Sequence, residues 1–148
     1  MISVASPEEM ENLGSRIGNV LNAGDCVFLM GDLGVGKSVL ARAIARALGV
    51  EGAMPSPSFT LMIPHMGKIP VNHFDLYRLE DYSEFIAAGL DESISEDSVS
   101  LIEWPEIMEE RPIPRMEVSI ERTQDENVRS VNIKCFGMGE MARAHFGD

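Results

Sequence analysis

The sequence is poor in basic residues: 12 Lys and Arg stand against 24 Asp and Glu, leaving a formal charge of −12. Non-specific affinity for nucleic acid comes mainly from Lys and Arg at phosphates. The chain is therefore not expected to hold DNA or RNA by itself, and if it serves a nucleic acid, a partner must do the holding. Cysteine is almost missing. Cys26 and Cys135 are isolated and form no C-x-x-C, which argues against a zinc cluster or a disulfide framework. Their surroundings, CVFLM and IKCFG, are those of buried strands, where Cys acts as a small hydrophobe. No apolar run is long enough to span a membrane. The opening MISVASPEEMENLG has no basic patch followed by an apolar stretch and a cleavage site, so no signal peptide is expected and a cytoplasmic location is. Internal repeats, low-complexity segments and inter-domain linkers are also missing. With 45% apolar and 24% charged residues in a length of 148, disorder is excluded and one domain spanning 1–148 is expected.

Within that length the periodicities give an α/β order. Ser6-Pro7-Glu8-Glu9 reads as a helix start, with Ser at the N-cap, Pro at N1 and Glu at N3 completing a capping box. Met10, Leu13, Ile17 and Leu21 follow on one face. After Gly24-Asp25, Cys26–Met30 is a continuous apolar run, the pattern of a strand covered on both faces. From Lys37 the pattern is helical again, with Leu40, Ile44 and Leu48 on one stripe and Gly49 as the terminating residue. Residues 54–58 are rich in Pro and Ser and predict a loop. Phe59–Ile63 and Ile69–Phe74 predict two strands around a turn at Met66-Gly67-Lys68. Leu79–Leu90 predicts an amphipathic helix, and Val99–Trp104 another strand, stopped by Pro105. Two period-two segments, Met116–Arg122 and Arg129–Cys135, predict an antiparallel edge hairpin across a polar turn, followed by a short helix.

The strongest chemical signal is Gly31-Asp-Leu-Gly-Val-Gly36-Lys37-Ser38. It satisfies G-x-x-x-x-G-K-[ST] with a strand before it and a helix after it, the context a phosphate-binding loop requires. In such a loop, backbone N–H groups converge on phosphate oxygens, and the helix opening near Lys37 adds its positive dipole end. Gly34 and Gly36 let a phosphate approach without a Cβ in the way. Lys37 neutralises β/γ charge, and the Ser38 hydroxyl is the expected Mg²⁺ ligand. ATP or GTP is the implied ligand.

Two residues compete for the acidic role that accompanies such a loop: Glu103, ending Leu101-Ile102-Glu103, and Asp75, ending Asn72-His73-Phe74-Asp75. Each closes an apolar strand at the mouth of an expected parallel sheet, where a carboxylate can hold Mg²⁺ or its water. Thr60 stands either as the Thr that senses a γ-phosphate or as an ordinary strand-start Thr. His73, flanked by a strand pattern and with no second His at metal-binding spacing, reads as a structural histidine. Tyr77 and Arg78 belong to the sheet surface or to the site. Trp104 reads as core or as a stacking residue.

GDLGVGKS, SPSFTL, HFDLYRL and IEWPE, in this order and at short separations, resemble the bacterial ATPase of tRNA threonylcarbamoyladenosine biosynthesis, the TsaE (YjeE) family. The resemblance runs from about Gly31 to Glu106, and HFDLYR and EWPE are far more specific than the phosphate loop. It implies a single-domain P-loop NTPase-like fold with a mixed sheet and a C-terminal antiparallel hairpin. It implies weak, Mg-dependent ATP hydrolysis that supports a TsaB–TsaD pair, which attaches threonylcarbamoyl to adenosine in ANN-decoding tRNAs. Carried over to this sequence, Leu33 to Ser38 bind phosphates, Ser38, Glu103 and Asp75 stand at Mg²⁺, Thr60 is switch-like and Trp104 lies beside the site. Pro7 and the far hairpin are implied for the adenine. Position 38 and position 58 carry Ser where the family often has Thr; the hydroxyl is kept, so metal binding should survive.

Two other readings stand beside this one. A small-molecule P-loop kinase shares the loop, but such enzymes close an Arg-bearing lid over the acceptor, and the region after Leu79 is mostly acidic. A non-hydrolytic, nucleotide-dependent scaffold would use the same binding residues without turnover. No arginine finger is evident in the sequence, which predicts slow intrinsic hydrolysis and stimulation by a partner.

Overall fold

Apolar runs that are buried on both faces become the centre of a sheet, and alternating ones become its flanks. The computed structural model describes residues 1–147. Its elements are β1 (Ile2–Val4), α1 (Pro7–Gly18), β2 (Cys26–Met30), α2 (Lys37–Ala47), β3 (Met62–Met66), β4 (Pro70–Asp75), α3 (Tyr82–Ala87), β5 (Val99–Glu103), β6 (Arg115–Arg122), β7 (Arg129–Phe136) and α4 (Glu140–Phe146). Single 3₁₀ turns cover Leu90–Ser93 and Pro105–Ile107. All seven strands form one mixed sheet in the order β1-β7-β6-β2-β5-β4-β3. β2 pairs in parallel with both β5 and β6, and β4 pairs in parallel with β5. The pairs β3–β4, β6–β7 and β1–β7 are antiparallel.

Four expectations are corrected in detail. The C-terminal hairpin is antiparallel, as predicted, but is not at the edge. β6 joins β2 at the sheet's centre, and β7 is covered by β1, a strand of three residues too short to show a period. The third strand opens at Met62 instead of Phe59, because Leu61 has φ 68° and its N–H donates to the Pro57 carbonyl at 2.7 Å, closing a turn first. The predicted helix from 79 to 90 shrinks to Tyr82–Ala87: Asp81 caps it by accepting the Glu84 N–H at 3.1 Å, and Gly89 at φ 74° ends it. α1 ends at Gly18, so buried Leu21 lies beyond the helix. The predicted cap holds in part. Ser6 Oγ accepts the Glu9 N–H at 3.1 Å, while the Glu9 carboxylate accepts the N–H of Ala5, one residue before the box position, at 3.0 Å.

α1 and α2 cover one face of the sheet over Val27, Leu29, Leu101 and Val118, and α4 adds Ala142 at the β7 end. α3 and the 3₁₀ turns cover part of the other face, over Phe28, Phe74 and Ile102. The α1–α2 contact is unusually close. A Cβ at Gly14 would stand 2.4 Å from the Ala43 Cβ, and one at Gly18 would stand 2.5 Å from the Ala47 Cβ, so paired small residues one turn apart set the helix separation. Gly14→Val is expected to cost about 1–3 kcal/mol through overpacking, seen as a lower urea midpoint. An unchanged midpoint would contradict this close approach.

Cys26 is buried in the second core. Burial first, then the nearby Asp25 charge, pushes its thiol up to about 12, with the Ser100 contact and Arg115 opposing. At pH 8 the thiolate fraction is then on the order of 10⁻⁴. Iodoacetamide should leave Cys26 unlabelled in the folded protein and label it fully in urea, as read by peptide mass mapping. Native labelling of Cys26 would contradict its placement.

Candidate functional site

The loop between β2 and α2 owes its shape to glycine at its two ends. Gly31 has φ 147°, and a Cβ there would meet the Ile120 carbonyl oxygen at 2.5 Å; Gly36, at φ 118°, is the N-cap of α2. Between them Val35 is buried as the loop's anchor, whereas Leu33 points outward and is 59% exposed. From outside, two arginines hold the loop's carbonyls. Arg122 Nη2 donates to Leu33 O at 2.7 Å, and Arg129 Nε donates to Val35 O at 3.3 Å. Arg122 and Arg129 face each other across the β6–β7 hairpin, so accepting carbonyls offset the repulsion of like charges placed opposite one another.

Lys37 opens α2 and is only 5% exposed. Its ammonium donates to the Gly31 carbonyl and lies 3.5 Å from the centroid of the Trp104 ring. Burial lowers its pKa below the ordinary lysine value, and the charges of Glu103, Glu106, Asp75 and Asp32 oppose that shift. A cation held this way, mostly without water, is ready for an anion. Trp104 reaches it because its backbone turns out of β5 in the left-handed region, φ 58°, with its N–H on the Leu29 carbonyl at 3.4 Å and its ring 4.8 Å from Tyr77. A bulky residue in that conformation is strained, and strain of this kind collects at functional sites.

Parallel pairing places Asp75 directly beside Glu103, and Glu103 beside Leu29 at the end of β2. Both carboxylates therefore meet the loop at the carboxyl end of the sheet, the usual ligand position in parallel α/β sheets. The Ser38 hydroxyl donates to Glu103 at 3.2 Å. His73 Nε2 lies 2.6 Å from Glu103 Oε2, and since a carboxylate only accepts, Nε2 carries the proton. Asp75 accepts the Tyr77 N–H on Oδ1 at 3.0 Å, and the Ser58 hydroxyl approaches its Oδ2 at 3.5 Å.

Lys37, Ser38, Asp75 and Glu103 line a cleft of about 300 Å³ with Leu33, Gly34, Gly36, Ser56, Ser58 and Trp104. Thr60 is not among them. It is exposed on the turn before β3, and the hydroxyl-bearing residues of this segment that line the cleft are Ser56 and Ser58. A second cavity, of about 370 Å³, adjoins the other side of the loop. Pro7, Met10, Val35, Asn127 and Arg129 line it, so Pro7 and the hairpin turn, far apart in sequence, meet there. Sequence reasoning missed His73 as a partner of Glu103, and Arg122 and Arg129 as partners of the loop. The only signal for the arginines was their symmetric placement at the two ends of the hairpin turn.

Loop N–H groups, Lys37 and the start of α2 suit a phosphate chain. The hydroxyl of Ser38 and the carboxylates of Glu103 and Asp75 are hard oxygen donors of the type Mg²⁺ takes. Among the described residues no group of three or more His, Cys, Asp or Glu is arranged to hold a metal alone. That fits Mg²⁺, which binds through one or two protein groups plus substrate phosphates.

A sequence model of the family described as "Threonylcarbamoyl adenosine biosynthesis protein TsaE" matches residues 4–131. The chain belongs to the TsaE family. Proteins described as tRNA threonylcarbamoyladenosine biosynthesis protein TsaE are similar to it over most of their length. That of Mycobacterium bovis is 41% identical over 82% of this chain and 79% of its own, and that of Streptomyces coelicolor is 40% identical over 88% and 92%. The Bacillus subtilis protein is 36% identical over 89% and 83%. The crystal structure of Bacillus subtilis YdiB superposes with a TM-score of 0.75 at 27% identity, covering 97% of this chain and 94% of that one. Membership ties this TsaE-family chain to tRNA threonylcarbamoyladenosine biosynthesis. Among the described residues, no helix is long and apolar enough to cross a membrane.

Proposed function

We propose that this chain is a cytoplasmic, Mg-dependent P-loop ATPase, one domain over 1–148, whose turnover serves a TsaB–TsaD pair during threonylcarbamoylation of ANN-decoding tRNAs. The observation that carries this reading is the meeting of Lys37, Ser38, Asp75 and Glu103 around one glycine loop. ATP phosphates would lie on the N–H groups of Leu33 to Ser38, and the adenine in the cavity lined by Pro7 and the hairpin turn. Mg²⁺, held through Ser38 and Glu103, would neutralise charge on the β/γ-phosphates when bound.

Lys37 gives up the Gly31 carbonyl for phosphate oxygens. Asp75, with one oxygen on the Tyr77 N–H and the other toward the cleft, positions the attacking water. Trp104 covers Lys37 and excludes solvent. The arginines nearest the loop are held on its carbonyls, which agrees with slow intrinsic turnover. An acidic protein has little means to grip tRNA, so its effect passes through protein contacts. Thr60, exposed beside the cleft, would need a rearranged loop to act as a switch.

The test is phosphate release from Mg-ATP with and without purified TsaB–TsaD. A low rate that the pair raises is expected. A rate indifferent to the pair, with phosphate passed instead to a small-molecule acceptor, would replace this reading by the kinase.

A further inference from the structure

Glu103 is 3% exposed, and its side chain is met by Ser38 from the first turn of α2 and by His73 from β4. Its carboxylate turns about a terminal torsion that is broad and roughly two-fold, so without outside restraint its two oxygens would exchange freely. His73 supplies a restraint. It lies two residues before Asp75 on β4, on the same face as Asp75 and opposite Leu101 in the register. Both side chains of the pair are 4% exposed, and Nε2 stands 2.6 Å from Oε2. Oε1 is left as the oxygen nearer to the Ser38 hydroxyl, 3.2 Å against 3.4 Å for Oε2.

Resting on the proposed nucleotide site, we propose that His73 is a positioning residue. Its Nε2–H fixes the rotation of the Glu103 carboxylate so that Oε1 and the Ser38 hydroxyl together present a cation-binding edge. His73 touches neither nucleotide nor cation. Groups that orient ligands in this way typically contribute 10–100-fold to metal affinity or activity, and the parallel pairing of β4 with β5 fixes the register that brings His73 to Glu103. The type of substitution matters as much as its presence. A Gln amide places an N–H near the position of Nε2, whereas an Asn amide reaches only the position of Nδ1 and Leu offers no donor.

The experiment is binding of a fluorescent ATP analogue to the full chain, titrated with Mg²⁺ and repeated in EDTA, for wild type, His73→Gln, His73→Asn and His73→Leu, with melting temperatures alongside. The expected result is an Mg²⁺ midpoint raised about tenfold or more in the Asn and Leu variants and restored to within about threefold by Gln, with affinities in EDTA alike throughout. If Leu does not fold, the Gln and Asn variants, alike in polarity, decide by themselves. Equal midpoints in folded variants would overturn the role of His73 and leave the nucleotide site standing. So would parallel losses in Mg²⁺ and EDTA, which mark a purely structural histidine. Failure of wild type to bind the analogue under any condition would overturn the nucleotide site itself, and this inference with it.

Discussion

Lys37→Ala is expected to abolish measurable hydrolysis and to weaken ATP binding by about 10- to 150-fold. A charge-assisted contact to phosphate contributes about 1.5–3 kcal/mol, and Lys37 is the one basic side chain among those lining the cleft. Loss of a preorganised donor aimed at developing charge costs a further 10²–10³ in turnover, as an order of magnitude. The fold should survive. Removing the ammonium relieves the cost of its burial but leaves Asp75 and Glu103 side by side without a cation, and these effects oppose one another. Calorimetric titration with ATP, steady-state phosphate release and a melting curve check the three claims. Unchanged hydrolysis in a folded variant would remove the catalytic assignment of the loop.

Asp75→Asn separates binding from turnover. The amide oxygen can still accept the Tyr77 N–H that Asp75 takes at 3.0 Å, so the turn after β4 should hold. Its loss is the negative charge and basicity facing the cleft beside Ser58. Turnover is expected to fall about 10²–10⁴-fold, the range for a positioned proton acceptor, while ATP affinity stays within about threefold. Single-turnover hydrolysis and equilibrium binding measure the two quantities. Full turnover would reduce Asp75 to a cap for the Tyr77 turn and pass water positioning to Glu103. Full support of TsaB–TsaD by a variant that binds ATP but does not hydrolyse it would make the chain a nucleotide-dependent scaffold.

What was legible in the sequence was local. Gly31 to Ser38 carries loop, charge and hydroxyl in eight consecutive residues, and the phosphate reading follows from their chemistry alone. The cap at Ser6, the stop at Gly49 and the buried strand at Cys26–Met30 are equally local. Misreadings arose where a local turn or cap outweighs strand or helix composition, or where a tertiary contact leaves no periodic signal. Phe59 and Thr60 have strand-like composition, but Leu61 in the left-handed region closes a turn there, which carries Thr60 out of the cleft and leaves Ser58 toward Asp75. The packing of Gly14 and Gly18 against Ala43 and Ala47 is a tertiary contact that helical periodicity does not show.

The sequence by itself determined which groups are present, their charge balance and their local secondary structure, because capping, periodicity and turn chemistry act over a few residues. Only the tertiary structure decided which groups meet. Ser38 and Glu103 are separated by 65 positions, His73 and Glu103 by 30, and Arg122 and Leu33 by 89. The order β6-β2-β5-β4 places the loop, both carboxylates and the hairpin arginines at one end of the sheet. Strand order is set by burial of both sheet faces under helices, a balance summed over the whole chain that no short window of sequence contains.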